Sequence, residues 1–265
     1  MTTSTTSPVL AGPPSSCCFK GFQHEGTPVG KVITIADVET YVSDPPADTT
    51  GPKKVVIFFS DVFGPLCNNA KLIQDYFASH GFYVLGLDYF FGDNVDAYVN
   101  KPDWQEKRLA WFDFSIKRAA EPTKKWLKVV REIHGDAKYF AVGYCFGAPH
   151  VLDFAANKLI PSIAAIAHPS FLNESHFENL KKPLLLSCAE IDSLFTPQAR
   201  HRAEEILAKN NSSYHLQLFS GVEHSFASRG DESVEHIRWA KEESARSIVA
   251  WFKRFSEVSS PSDVQ

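Results

Sequence analysis

Tyr139-Phe140-Ala141-Val142-Gly143-Tyr144-Cys145-Phe146-Gly147 is an apolar run that passes without a polar break into Gly-x-Cys-x-Gly. A run of this kind, with no polar alternation, reads as a strand buried on both faces, as in a parallel sheet. Similar runs flank it: Val55–Phe59 and Phe82–Leu87 before it, then Ile163–Ala167, Leu184–Cys188 and Tyr214–Phe219 after it. Helical patterns separate them. The spacing predicts helices over about 68–79, 103–134 (broken at Glu121-Pro122), after Gly147, 197–209 and 231–255. A hairpin, Lys31–Ile35 and about Val38–Val42 joined at Ala36-Asp37, precedes the first buried strand. Strands alternating with helices predict an α/β fold, a mostly parallel central sheet flanked by helices on both faces. Ligands of such sheets bind at the carboxyl ends of the strands.

The polar residues with chemical potential all follow strands. Gly143-Tyr144-Cys145-Phe146-Gly147, between a strand and a helix, has the form of a nucleophile elbow with sulfur in place of the serine oxygen. Side chains two positions either side of the nucleophile would meet neighbouring backbone, hence glycine. The amides of the following helix favour the thiolate, the reactive form. The bland alternative is an inert buried cysteine in a glycine-rich turn. A thiol nucleophile needs a base and an orienting acid, in the chain order nucleophile, acid, histidine. Asp192, after Leu184–Cys188, is the expected acid, with Glu190 as rival. His224, after Tyr214–Phe219, is the expected base. His168 competes with it and reads better as a pocket-wall residue. The oxyanion hole would use the amides of Phe146 and Val62, with Asp61 either tuning the thiol or ordering the loop.

The 265 residues read as one domain over 17–258, between disordered tails at 1–16 and 259–265. Hydrophobic residues make up 44% and charged residues 22%, as in ordinary globular proteins. A net charge of −4 with no basic stripe argues against a nucleic-acid partner. Five cysteines without a CxxC pair suggest neither a zinc site nor a disulfide framework. Redox pairing of Cys145 with Cys67 or Cys188 would need a proximity that the sequence does not show. No signal peptide or membrane span is recognisable, so a cytoplasmic monomer or homodimer is expected.

Four segments together resemble the dienelactone hydrolase family of α/β-hydrolases, its fungal branch in particular, over about residues 24–256. They are Gly26-Thr27-Pro28-Val29-Gly30, Asp61-Val62-Phe63-Gly64, Gly143-Tyr144-Cys145-Phe146-Gly147 and Glu223-His224-Ser225-Phe226-Ala227. The resemblance implies a Cys145, Asp192, His224 triad and no metal or organic cofactor. It also implies hydrolysis of a small-molecule ester, lactone or thioester through an acyl-cysteine, with polyketide-type secondary metabolites among the substrates. Acyl transfer or cyclisation on the same triad, or ligand binding without catalysis, are the alternatives. Asp61 stands where the bacterial enzymes carry a glutamate, one methylene longer. Their two carboxylate-binding arginines would fall near Gly92 and at Ser228, with Arg229 one residue on. Pocket or thiol-tuning candidates are Asp61, Phe63, Tyr89, Phe90, Phe91, Tyr144, His168, Phe226 and Arg229. The aromatics Tyr89, Phe90, Phe91, Tyr98, Trp104 and Trp111 would suit a bulky, flat, weakly charged substrate, or would equally serve as core.

Overall fold

The computed structural model describes residues 7–156 and 162–257. In chain order its strands are β1 (Val9–Ala11), β2 (Lys31–Ile35), β3 (Val38–Ser43), β4 (Lys54–Phe59), β5 (Tyr83–Leu87), β6 (Lys138–Tyr144), β7 (Ser162–Ala167), β8 (Leu172–Asn173), β9 (Leu184–Ile191) and β10 (Tyr214–Glu223). The helices are α1 (Asn68–Ser79), α2 (Trp104–His134), α3 (Ala148–Ala156), α4 (Glu174–Glu178), α5 (Pro197–Lys209), α6 (Phe226–Arg229) and α7 (Glu235–Ser256).

Eight strands form one sheet in the order β10-β9-β7-β6-β4-β5-β3-β2. β3 runs antiparallel to β2 and β5, and every other pairing in this sheet is parallel. Successive side chains of a strand point to opposite faces, so the continuous apolar runs feed two cores. Ile57, Phe59, Ala141 and Ile166 face one of them, with Phe112 and Trp126 of α2. Val56, Phe58, Val142 and Ala165 face the other, with Phe77 of α1 and Phe252 of α7. The β2–β3 hairpin closes through Ala36 (φ 50°) and Asp37 (φ 67°), a two-residue loop whose positive φ angles match the twist of the strands.

Two expectations are corrected. The helix does not break at Glu121-Pro122: α2 runs unbroken from Trp104 to His134. The proline removes one backbone bond, but Phe112, Ser115 and Ala119 before it and Trp126 and Val130 after it are all buried. Packing on both sides carries the helix through. The tail expected to be disordered over 1–16 is structured wherever it is described, from Ser7 onward. β1 pairs antiparallel with β8, Leu10 and Ala11 are buried, and Gly12 exchanges backbone hydrogen bonds with Leu194 and Phe171. The expected tail at 259–265 lies outside the described residues. Among the described residues, no helix is long and apolar enough to cross a membrane.

The parallel strands end on one side of the sheet. Asp61 follows β4, Cys145 follows β6, His168 follows β7, Asp192 follows β9 and His224 follows β10.

Candidate active site

Cys145 has a left-handed backbone (φ 49°) at the bend between β6 and a 3₁₀ turn, Cys145–Gly147, that leads into α3. The flanking glycines are sterically required. A Cβ on Gly143 would lie 2.6 Å from the carbonyl oxygen of Gly147, and one on Gly147 only 2.2 Å from that of Phe59. Both neighbours are backbone and cannot swing away. Gly147→Ala is therefore expected to cost roughly 3 kcal/mol. A denaturant unfolding curve checks this, and a loss below about 1 kcal/mol would show that the bend has slack.

His224 Nε2 lies 3.3 Å from Cys145 Sγ, and His224 Nδ1 lies 2.8 Å from Asp192 Oδ2. The other carboxylate oxygen of Asp192 accepts the backbone N–H groups of Leu194 (2.9 Å) and Phe195 (3.2 Å), which fixes its orientation. Glu190, the rival acid, is exposed and accepts the N–H of Gly221 at 2.7 Å, away from the imidazole. Burial alone would raise the Cys145 thiol. The Cys18 thiol and the charge and hydrogen bond of His224 outweigh it and bring the value down to about 6. Burial likewise acts to lower His224, but the Cys145 thiolate and Asp192 hold it well above its ordinary value. Both shifts favour a thiolate–imidazolium pair.

His168 is fully buried, its ring edge-on to His224 with centroids 5.0 Å apart. Burial first, then the His224 charge, keeps it well below its usual pKa, so it backs the imidazole as a neutral ring. Asp61 accepts the Phe63 N–H and the Ser228 hydroxyl, each at 2.9 Å. Burial raises its carboxyl, with the Arg229 charge opposing. These two bonds order the loop, and any negative charge on Asp61 raises the Cys145 thiol. The Arg229 guanidinium lies 3.8 Å above the Phe63 ring. Phe146 and Val62 are buried and belong to the same core as Cys145.

The aromatic candidates divide. Tyr89, Phe90, Trp104 and Trp111 are buried and packed on one another, with Phe90 also 5.0 Å from Phe146. They are core behind the elbow. Phe91 is 38% exposed, under Arg118. Tyr144 and Phe226 belong to the other core, packed against Phe58 and Phe219 respectively and both against His168. Gly92 is a positive-φ turn, and Ser228 is engaged with Asp61.

Sequence reasoning missed the N-terminal cover. A 3₁₀ turn over Ser16–Phe19 lays Cys18 Sγ 3.4 Å from Cys145 Sγ, and Cys145 is only 1% exposed. Hydrogen bonds with Cys18 and Ser15, with the nearby His224 charge, bring Cys17 down to about 5 against the opposing effect of burial. Burial, then Cys145, keeps the Cys18 thiol protonated. Asn69 ties this segment down: its amide donates to the carbonyls of Phe22 (2.8 Å) and Ser228 (2.9 Å) and accepts the His24 N–H (2.9 Å). The one signal in the sequence was the adjacent pair Cys17-Cys18 beside Phe19 in a polar stretch. A cavity of about 310 Å³ opens beside His224, lined in part by Cys17, Lys20, Phe22 and Arg229.

The sequence model of the dienelactone hydrolase family matches residues 38–256. Dienlactone hydrolase 1 of Gibberella moniliformis is 40% identical over 250 residues, covering 92% of this chain and 95% of that protein. Hydrolase tropI of Talaromyces stipitatus is 34% identical over 254 residues, covering 92% and 97%. Among solved structures, a putative dienelactone hydrolase from Klebsiella pneumoniae has a TM-score of 0.69 at 16% identity, covering 86% of this chain and all of that one. At that identity the likeness concerns the fold.

Proposed function

The chain belongs to the dienelactone hydrolase family and is a hydrolase, and on that premise we propose that it cleaves an ester, lactone or thioester through an acyl-Cys145 intermediate. The observation that carries this reading is the chain of contacts from Cys145 Sγ through His224 to Asp192, at 3.3 and 2.8 Å. The Cys145 thiolate attacks the substrate carbonyl, and the amides of Phe146 and Val62 receive the oxyanion. His224, held in its tautomer by Asp192, gives its proton to the leaving group. It then takes one from the water that releases the acyl group. Substrate entry requires the Ser16–Phe19 turn to yield, because Cys145 is covered.

Two residues bear on the substrate class. Gly92 and Ser228 cannot supply the planar bidentate clamp that two arginines give a carboxylate. This supports an ester, lactone or thioester lacking the paired-arginine-bound carboxylate of dienelactone, such as a polyketide-type metabolite.

The thiolate–imidazolium pair makes a pH prediction. Attack needs the thiolate, so reactivity falls as pH drops through the Cys145 value of about 6 and is level above it. Iodoacetamide alkylation of Cys145, read by peptide mapping to separate it from Cys17, should rise with a midpoint near that value. A midpoint near the ordinary thiol range would refute the ion pair.

A further inference from the structure

Among the described residues, Cys17, Cys18 and His224 offer ligand atoms that all lie within 4.8 Å of one another. The sulfur of Cys145 adjoins the group, 3.4 Å from Cys18 Sγ and 3.3 Å from His224 Nε2. Cys17 Sγ and Cys18 Sγ are 4.0 Å apart. A tetrahedral ion with thiolate bonds of about 2.3 Å spaces its sulfurs by about 3.8 Å, and these separations straddle that value. The imidazole is already oriented for the task. Its Nδ1 is held by Asp192 at 2.8 Å, so Nε2 faces the sulfurs, as in a carboxylate–histidine–metal arrangement.

We propose that Cys17, Cys18 and His224 form a binding site for a thiolate-preferring divalent cation of the Zn²⁺ class, that Cys145, which stands outside this group but against two of its members, closes on the ion as the fourth ligand, and that the bound ion stops hydrolysis. Thiolate and imidazole donors select such ions over Mg²⁺ or Ca²⁺, which take oxygen ligands. Every donor that still carries a proton gives it to solvent, the Nε2 proton of the His224 imidazolium included, and no sulfur is oxidised. Nucleophile and base are both consumed as ligands. The ion also ties the Ser16–Phe19 turn to the loop after β10, closing the path a substrate needs. The donors come from an adjacent pair near the N-terminus and two residues far along the chain. That separation explains why no zinc spacing is visible in the sequence. The inhibitory half rests on the hydrolase reading above; the binding half does not.

The test uses the reduced full-length protein. Cd²⁺ titration should produce a saturable thiolate-to-cadmium ultraviolet band at one ion per chain, and Zn²⁺ should inhibit aryl-ester hydrolysis reversibly, with EDTA restoring it. Cys17→Ser should raise the half-inhibitory Zn²⁺ concentration, read against its own metal-free rate, at least about tenfold, since loss of an outer-shell partner alone costs that much. Cys17 is only half buried, so this variant carries the test if Cys18→Ser fails to fold. Cys145→Ala should still show the Cd²⁺ band through the remaining three ligands, a readout independent of activity. No saturable band at stoichiometric Cd²⁺, or wild-type Zn²⁺ inhibition of Cys17→Ser, would overturn the proposal.

Discussion

Cys145→Ala is expected to lower kcat/KM on an aryl ester or thioester by about 10⁴-fold or more, with the protein still folded. The size follows from the mechanism: without the sulfur no acyl-enzyme forms, and only binding and the oxyanion amides remain to help water attack. The fold should tolerate the change, because alanine keeps the Cβ at the bend and removes one buried sulfur atom. The unfolding midpoint should stay within about 8 °C of wild type, a loss of roughly 2 kcal/mol. Retained turnover in a folded Cys145→Ala protein would remove Cys145 from the chemistry. Cys145→Ser is a sharper companion. A hydroxyl beside His224 does not form the ion pair that a thiol does, so its geometry is kept while the thiolate is lost.

Asp192→Asn is expected to lower kcat/KM by about 10³- to 10⁴-fold. Asp192 Oδ2 accepts from His224 Nδ1 at 2.8 Å, while its other oxygen accepts from Leu194 and Phe195. The two backbone donors hold the amide oxygen of asparagine on their side, which turns its NH₂ toward Nδ1. The imidazole then carries its proton on Nε2, facing Cys145, and stabilisation of the imidazolium is lost with the carboxylate. The Cys145 thiol should rise with it, so the acid limb of the pH profile should move upward. An unchanged profile with unchanged kcat/KM would leave Asp192 a structural residue. Glu190→Gln, at a carboxylate that accepts the exposed Gly221 N–H away from the imidazole, serves as the control and should retain activity.

The fold was legible because its strands are buried on both faces. Runs such as Val55–Phe59 and Phe140–Val142 have no polar alternation, and only a covered parallel sheet accommodates several of them. The candidate site was legible for a related reason: Cys145, Asp192 and His224 each follow such a run, and the glycines around Cys145 answer to backbone contacts that any side chain would violate. Other features were hidden because their causes are nonlocal. Val9–Ala11 is too short and too polar in its surroundings to read as a strand, and its partner Leu172–Asn173 is far along the chain. Cys18 meets Cys145 across 127 positions of sequence, a contact no local pattern can announce. Pro122 reads as a break, yet the buried face of α2 continues across it. The sequence alone does not divide the aromatics around Tyr89 between pocket and core, since burial of Phe90 against Trp111 and Phe146 depends on where α2 packs.

The central claim is that an acyl group passes through the Cys145 sulfur. Reduced enzyme mixed with a slowly deacylating aryl ester or lactone, acid-quenched within a turnover and mapped by mass spectrometry, tests it most directly. The account predicts one acyl adduct on the peptide carrying Cys145, present in His224→Ala only at a greatly reduced rate and lacking in Cys145→Ala. Product release at full rate with Cys145 unmodified at every quench time, or an adduct that forms and turns over on another residue, would contradict it.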